Sequence, residues 1–97
     1  MATYISLISF TEQGVREFRQ SPQRASAFNS AAQKAGLRVS QVYWTLGGYD
    51  GVLIFDAPDE QAATAAMLGL GAGGNVRTQT LRAFTADEFE AIVAQVP

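Results

Sequence analysis

The sequence predicts a single α+β domain in which a four-stranded antiparallel sheet carries its two main helices on one face. The chain has 97 residues, which suits one domain spanning positions 1–97. Hydrophobic residues make up 47% of the chain and charged residues 16%, as in ordinary globular domains. Segments of strand and helix character alternate along the chain, with glycine, proline and capping residues between them.

The predicted elements follow the order β-α-β-β-α-β-α. Runs rich in β-branched and aromatic residues predict four strands, at 3–10, 37–46, 52–55 and 75–84. The second and third strands form a hairpin, because the segment between them, 47–51 (GGYDG), has turn chemistry. Two split β-α-β units of this kind make a ferredoxin-like fold, with a short helix added at the C-terminus.

Capping residues set the predicted limits of the helices. After a first short helical segment, Ser21 as N-cap and Pro22 at the first position predict a break and a new helix that ends at Gly36. A second helix is predicted over 58–70, where acidic residues occupy the first turn. The final helix begins at Thr85, which opens a capping box.

The strands are apolar on both faces, which predicts a homo-oligomer. The segments 42–44 (VYW) and 53–55 (LIF) place large apolar side chains on each side of the sheet, whereas two helices cover only one side. A four-stranded face measures on the order of 400 Å², and its burial is worth roughly 10 kcal/mol before association costs. A second copy of the chain is the expected cover, unless the C-terminal helix folds across this face instead.

Composition excludes several classes of function. Seven basic and nine acidic residues give a net charge of −2, which argues against a nucleic-acid-binding protein. The chain has no cysteine and no histidine, which removes thiolate sites and the commonest metal ligand. We therefore expect no metal, no cofactor and no membrane segment, and we expect the protein to be cytoplasmic.

Alternation along two strands suggests a ligand pocket. Regular alternation would place Val39, Gln41, Tyr43 and Thr45 on one face of the second strand, and Val76, Thr78, Thr80 and Arg82 on one face of the fourth. Together Tyr43, Thr78, Thr80 and Arg82 would line a cavity with a few convergent polar groups. Arg82 would then bind a carboxylate, a phosphate or an enolate-like anion. The alternative is a structural ion pair of Arg82 with an interface carboxylate such as Asp56.

The hairpin tip is the most unusual local feature of the sequence. Tyr49 and Asp50 lie between glycines. They belong either to a tight turn folded against the sheet edge or to a pocket or subunit contact. The size of Trp44 favours a place in the core or in a subunit interface.

Five segments of the chain resemble the GYD-domain family of small bacterial proteins, named for a Gly-Tyr-Asp tripeptide. They are Thr11-x-Gln13-Gly14, Ser21-Pro22-x-Arg24, 43–50 (YWTLGGYD), 57–59 (APD) and 74–84 (GNVRTQTLRAF). The resemblance implies a ferredoxin-like domain of the dimeric α/β-barrel type. It implies no activity, because the family is one of unknown function. Its polar and aromatic motif residues include Tyr43, Tyr49, Asp50, Arg77, Thr78 and Arg82.

Two functions fit these observations. The first is a homo-oligomeric small-molecule-binding domain, or a cofactor-free enzyme, with a pocket for an anionic or carbonyl-containing ligand between the sheet and its partner subunit. Its candidate ligand-binding residues are Tyr43, Tyr49, Asp50, Thr78, Thr80 and Arg82, with Trp44 and Arg77 as interface candidates. The second is a non-catalytic assembly or regulatory module. No catalytic residue is assigned in either case.

Overall fold

The structure is a computed structural model that describes residues 1–97, with four strands and four helices. In chain order the elements are β1 (Ala2–Phe10), α1 (Glu12–Arg16), α2 (Ser21–Lys34), β2 (Arg38–Trp44), β3 (Gly51–Ala57), α3 (Glu60–Ala72), β4 (Val76–Ala83) and α4 (Ala86–Val93). A 3₁₀ turn, Phe18–Gln20, lies between α1 and α2. No helix is both long and apolar enough to cross a membrane.

The four strands form one antiparallel sheet in the order β2-β3-β1-β4. This order confirms the predicted α+β, ferredoxin-like arrangement. The central strand β1 pairs with β3 and β4, so Ile5 stands opposite Ile54 on one side and Leu81 on the other. The register therefore decides which side chains share each face of the sheet.

One face of the sheet packs against α2 and α3 and holds the core. Phe55 is fully buried, and its ring stacks on Tyr4 with the ring centroids 5.4 Å apart. Small residues bring the helices to this core, Ala32 from α2 and Ala63 from α3. We call this side of the sheet the helix face and the other side the open face.

The open face carries apolar side chains from three strands. They are Ile5 and Leu7 of β1, Val52 and Ile54 of β3, and Leu81 of β4. The C-terminal helix α4 leaves much of its apolar surface uncovered, because Phe89 and Val93 are each more than half exposed and Ile92 is 37% exposed. The predicted alternative, that α4 covers the open face, therefore does not describe this structure.

The helix limits match the capping signals except at Ser21 and in α3, which spans Glu60–Ala72 instead of the predicted 58–70. Thr85 caps α4 with a complete capping box, and Gly36 adopts a positive φ of 85° after α2. The predicted break before α2 is present, but the prediction that Ser21 is the N-cap is wrong. Ser21 has helical backbone angles that continue from the 3₁₀ turn, and it makes no capping hydrogen bond. Its hydroxyl instead accepts a hydrogen bond from a residue of the sheet.

Candidate functional site

The Gly-Tyr-Asp segment fastens the tip of the β2–β3 hairpin to the end of β1. The β1–β3 register would place Phe10 opposite Tyr49, but β3 begins only at Gly51. The carboxylate of Asp50 fills this gap, since its Oδ2 accepts a hydrogen bond of 2.7 Å from the Phe10 amide. The Asp50 amide in turn donates to the Ile8 carbonyl at 2.8 Å. Asp50 therefore completes the strand pairing where the backbone of β3 cannot.

Tyr49 links the same hairpin tip to β4. Its hydroxyl donates to Oε1 of Gln79 at 2.8 Å, and its carbonyl accepts from the Thr45 hydroxyl at 2.7 Å. The ring stays 38% exposed. The geometry agrees with the turn interpretation of Tyr49 and Asp50, because both make their polar contacts within the chain.

A second motif joins α1 to the loop before β4. The Thr11 hydroxyl accepts from the Gly14 amide and donates to the Gly74 carbonyl, at 3.1 and 2.6 Å. The Gln13 amide group donates to Oδ1 of Asn75 at 3.0 Å. Gly14 lies so close to Asn75 that a Cβ there would come within 1.9 Å of the Asn75 carbonyl oxygen. The glycine is required for this close backbone approach.

A third contact joins β2 to α2. The Trp44 indole N–H donates to the Ser21 hydroxyl at 2.9 Å, and Nη1 of Arg24 donates to the Glu17 carbonyl at 3.0 Å. Trp44 remains half exposed, so it is not a core residue of the single chain. Four of the five motif segments, 11–14, 21–24, 43–50 and 74–84, are thus joined by these contacts.

These motif residues surround one end of a large cavity. It lies between α2, α3 and the helix face, has a volume of about 710 Å³, and is lined mainly by apolar residues. Ser21, Arg24, Asp50 and Asn75 are its polar lining residues. The pocket predicted from the sequence lies between two subunits, whereas this cavity lies within one chain.

Three of the predicted ligand-binding residues share a different cleft, of about 410 Å³, between α3 and β4. Thr78, Thr80 and Arg82 lie there on the helix face, beside Tyr4. Thr80 is already bonded to the Ser6 hydroxyl at 2.6 Å, and Nη1 of Arg82 donates to the carbonyls of Thr3 and Ala83. The Tyr4 hydroxyl is buried and makes no hydrogen bond.

The predicted grouping of Tyr43 with these residues is wrong, because Tyr43 lies on the open face. A β-bulge between Val39 and Gln41 shifts the alternation of β2, so Val42 and Trp44 take the helix face instead. Arg77 pairs with Ser9 and also belongs to the open face. The cavity lining proposed from Tyr43 and Arg82 together is therefore absent from the chain.

Within the chain, Arg82 and Asp56 have other partners. Asp56 stands opposite Thr3 and Arg38, accepting from the Thr3 hydroxyl at 2.6 Å and pairing with Arg38 at 2.7 Å. These contacts, the Thr3 hydrogen bond first, hold the pKa of Asp56 below its ordinary value of 3.8. Arg82 lies 3.8 Å from Glu88 of α4 instead.

Sequence reasoning did not select Arg24 and Tyr4 as site residues. Arg24 lies in one of the motif segments, but only the fold places it on the cavity wall. Tyr4 resembles any strand tyrosine, and nothing in the sequence marks its hydroxyl as unpaired. The one available signal was the abundance of alanine in both main helices, with two glycines in α3, which leaves space between them.

Comparisons with known proteins identify the family. The model of the GYD domain matches residues 4–93. A Thermus thermophilus protein, named "Glutamine synthetase and cystathionine beta-lyase binding protein", is 36% identical over 84 residues, which cover 86% of this chain and 88% of the relative. The crystal structure of TTHA0845 from the same organism superposes with a TM-score of 0.58 at 27% identity, covering 89% of this chain and 96% of that one. The chain belongs to the GYD domain family.

Proposed function

We propose that this protein is a non-catalytic interaction module that self-associates through its open face and binds a metabolic enzyme. The observation that carries the proposal is Leu46, a motif residue that is fully exposed at the hairpin tip. Nothing within the chain requires a large apolar side chain at that position. A partner protein that buries it would supply the reason.

The name of the Thermus thermophilus relative supports an enzyme as that partner, since it describes a protein that binds two enzymes. Two other exposed apolar side chains, linked to Leu46 through the sequence and through one hydrogen bond, are of the right kind for such a contact. Trp44 precedes it on β2, and Phe18 lies close in sequence to Ser21, to which the Trp44 indole is bonded. Both are about half exposed. We call Phe18, Trp44 and Leu46 the hairpin-end patch.

The surface area of the chain supports self-association. A compact monomer of 10.4 kDa has an accessible surface of about 5,400 Å² by the usual scaling. This chain exposes 6533 Å². The excess of about 1,100 Å² exceeds the roughly 800 Å² that each partner buries in a standard interface. A two-fold dimer that joins two open faces, as in a dimeric α/β barrel, would cover the apolar residues of all three strands.

The alternative function is binding of a small ligand at the subunit interface. It was based on a group of residues that do not lie together in the structure. It required Tyr43 and Arg82 to line one pocket, and they occupy opposite faces of the sheet. Arg82 is also held by backbone carbonyls of its own chain. We therefore favour the interaction module.

Enzyme binding is tested with purified glutamine synthetase and cystathionine beta-lyase from the organism that supplies this chain. Biolayer interferometry with the immobilised protein measures the affinity for each enzyme. Leu46→Ser is expected to weaken binding at least tenfold, because it removes an apolar contact without disturbing the fold. Leu68→Ser is the matched control, since Leu68 is 70% exposed on α3 and lies outside the hairpin-end patch. Absence of binding to both enzymes by the wild-type protein at 100-fold molar excess would contradict the proposal.

Self-association is tested separately by native mass spectrometry and by size-exclusion chromatography with light scattering. Ile5→Lys places a charge between Ile54 and Leu81 at the centre of the open face. It is expected to yield monomers, whereas Leu68→Lys keeps the wild-type assembly. A wild-type protein that is monomeric at micromolar to millimolar concentration would refute this part of the proposal.

A further inference from the structure

The cavity between α2 and α3 is a cleft that is partly open to solvent and has the size of a ligand pocket. Helices that packed closely on each other and on the sheet would leave few spaces larger than a water molecule. This cavity measures about 710 Å³, within the range of roughly 300–1,000 Å³ that ligand pockets occupy. Its size results from the residues that face it, which are mostly alanines on α2 and alanines and glycines on α3. At Gly69, a Cβ would meet no atom within 4 Å.

The lining indicates a mainly apolar occupant. Of its 25 lining residues, 18 are hydrophobic, and the floor includes Ile8, Leu53 and Val76 of the sheet. Water gains few hydrogen bonds in such a space, so the cavity favours an apolar body over a cluster of waters. An apolar ligand would gain the contacts that the small side chains leave unmade.

The polar groups on the lining favour one anionic group on that ligand. Arg24 is the only basic lining residue and Asp50 the only acidic one. The Asp50 carboxylate already has a partner within the chain, because its Oδ2 accepts a hydrogen bond from the Phe10 amide. Arg24 has no carboxylate within ion-pairing distance, and its Nη2 is buried without a hydrogen-bond partner. A guanidinium with an unused donor binds carboxylates and phosphates through charge-assisted hydrogen bonds, and a singly charged carboxylate costs less than a phosphate to place in a mainly apolar space.

We propose that this cavity binds a small monocarboxylic acid with an aliphatic or aromatic body, with the carboxylate at Arg24 and the body between the two helices. The site is separate from the open face, and its ligand differs in kind from the enzyme partner. Trp44 belongs both to the cavity lining and to the hairpin-end patch, so the ligand is tested at Arg24 and Gly69 and the enzyme partner at Leu46, which keeps failure of one proposal distinguishable from failure of the other. Trp44 and Asp50 line the same cavity, and the Ser21 contact of Trp44 holds α2 beside it.

The single tryptophan provides the measurement. Trp44 lines the cavity and is the only tryptophan of the chain, so its fluorescence reports on the site. The probes are decanoate and its uncharged counterpart 1-decanol, both kept below their aggregation limits. Decanoate is expected to change the Trp44 emission saturably with one molecule per chain in calorimetry, and to bind at least tenfold more tightly than 1-decanol.

Two variants separate the contributions of charge and space. Arg24→Gln is expected to abolish the preference for decanoate while leaving the affinity for 1-decanol within about twofold. Arg19→Gln is its control, because the Arg19 guanidinium stacks on the Phe18 ring and is not part of the cavity lining. Gly69→Leu fills the cavity and is expected to lower the affinity for both probes at least tenfold.

Several results would overturn the proposal. These are no saturable change in wild-type fluorescence, equal affinities for decanoate and 1-decanol, more than one bound molecule per chain, or an unchanged preference in Arg24→Gln. If Gly69→Leu does not fold, nuclear Overhauser effects between ¹³C-labelled decanoate and the alanine methyl groups of α2 and α3 replace it. Their absence in the wild-type protein would also refute the site.

Discussion

The close approach of α1 to the loop before β4 makes Gly14 the position most sensitive to a small substitution. In Gly14→Ala the new methyl group would lie 1.9 Å from the Asn75 carbonyl oxygen and 2.8 Å from its carbon. Both are backbone atoms, so neither can rotate away. The two segments must separate, which weakens the hydrogen bonds from Thr11 to Asn75 and to Gly74.

These contributions set the expected magnitude. Overpacking of this kind costs about 1–3 kcal/mol, and two weakened hydrogen bonds cost about 1 kcal/mol each. The better helix propensity of alanine offsets at most about 1 kcal/mol of this destabilisation. We therefore expect Gly14→Ala to lower the free energy of unfolding by about 3 kcal/mol. For a domain of this size the Tm would fall by about 12–24 °C.

Urea unfolding at one fixed protein concentration measures this change, with far-UV circular dichroism and Trp44 fluorescence as probes. Fixed concentration matters because self-association would otherwise contribute to the apparent stability. Gly69→Ala is the matched control. It lies within α3 with open space around it, so the same substitution there is expected to raise stability by up to about 1 kcal/mol. A Gly14→Ala variant within about 0.5 kcal/mol of the wild type would refute the reasoning.

Three other predictions concern single hydrogen bonds. Asp50→Ala removes the acceptor of the Phe10 amide and is expected to cost about 1.5–3 kcal/mol, with faster hydrogen exchange at Phe10. Because the pKa of Asp56 is lowered, its carboxylate stabilises the fold above about pH 4 and loses that effect as the pH falls further. Thr3→Val should therefore shift the urea midpoint downward at pH 7 and much less at pH 3. Thr85→Ala should cost α4 about 1 kcal/mol, seen as faster exchange in α4 at an unchanged global midpoint.

The order of elements was predictable because local signals decide it. The capping box at Thr85 and the glycine at Gly36 each act within one helical turn, and both hold in the structure. The acidic residues were expected in the first turn of α3, but Asp59 is its N-cap and only Glu60 lies in that turn, so the helix begins two residues later than predicted. The apolar character of both sheet faces was also evident, since it depends only on composition and alternation within each strand.

The face assignment on β2 failed because a bulge leaves no clear signal in the sequence. The bulge falls at Ser40, whose hydroxyl donates to the Ile54 carbonyl at 3.0 Å. That contact depends on the partner strand, so a serine within a strand sequence does not by itself indicate a bulge. Every residue of β2 after the bulge therefore changes face, including Tyr43 and Trp44.

The cavity was missed for a related reason. Helical periodicity predicted that alanines of α2 face the sheet, and Ala32 does reach the core. Periodicity indicates the direction of a side chain but not the distance between two packed elements. A stripe of small residues is compatible with close helix packing and also with an empty space, and only the tertiary structure distinguishes the two.

The motif residues of this chain divide into two groups with different physical roles. Asp50, Tyr49 and Thr11 make polar contacts inside the chain that complete the strand ends and join the loops, so their presence is explained by the fold. Trp44 and Leu46 lie in the same run of sequence, yet half or more of each side chain faces solvent. Exposed apolar surface carries a cost in a monomer and a benefit only in a complex. The first group therefore accounts for the fold of this chain, and the second group is where the proposed partner binding should be sought.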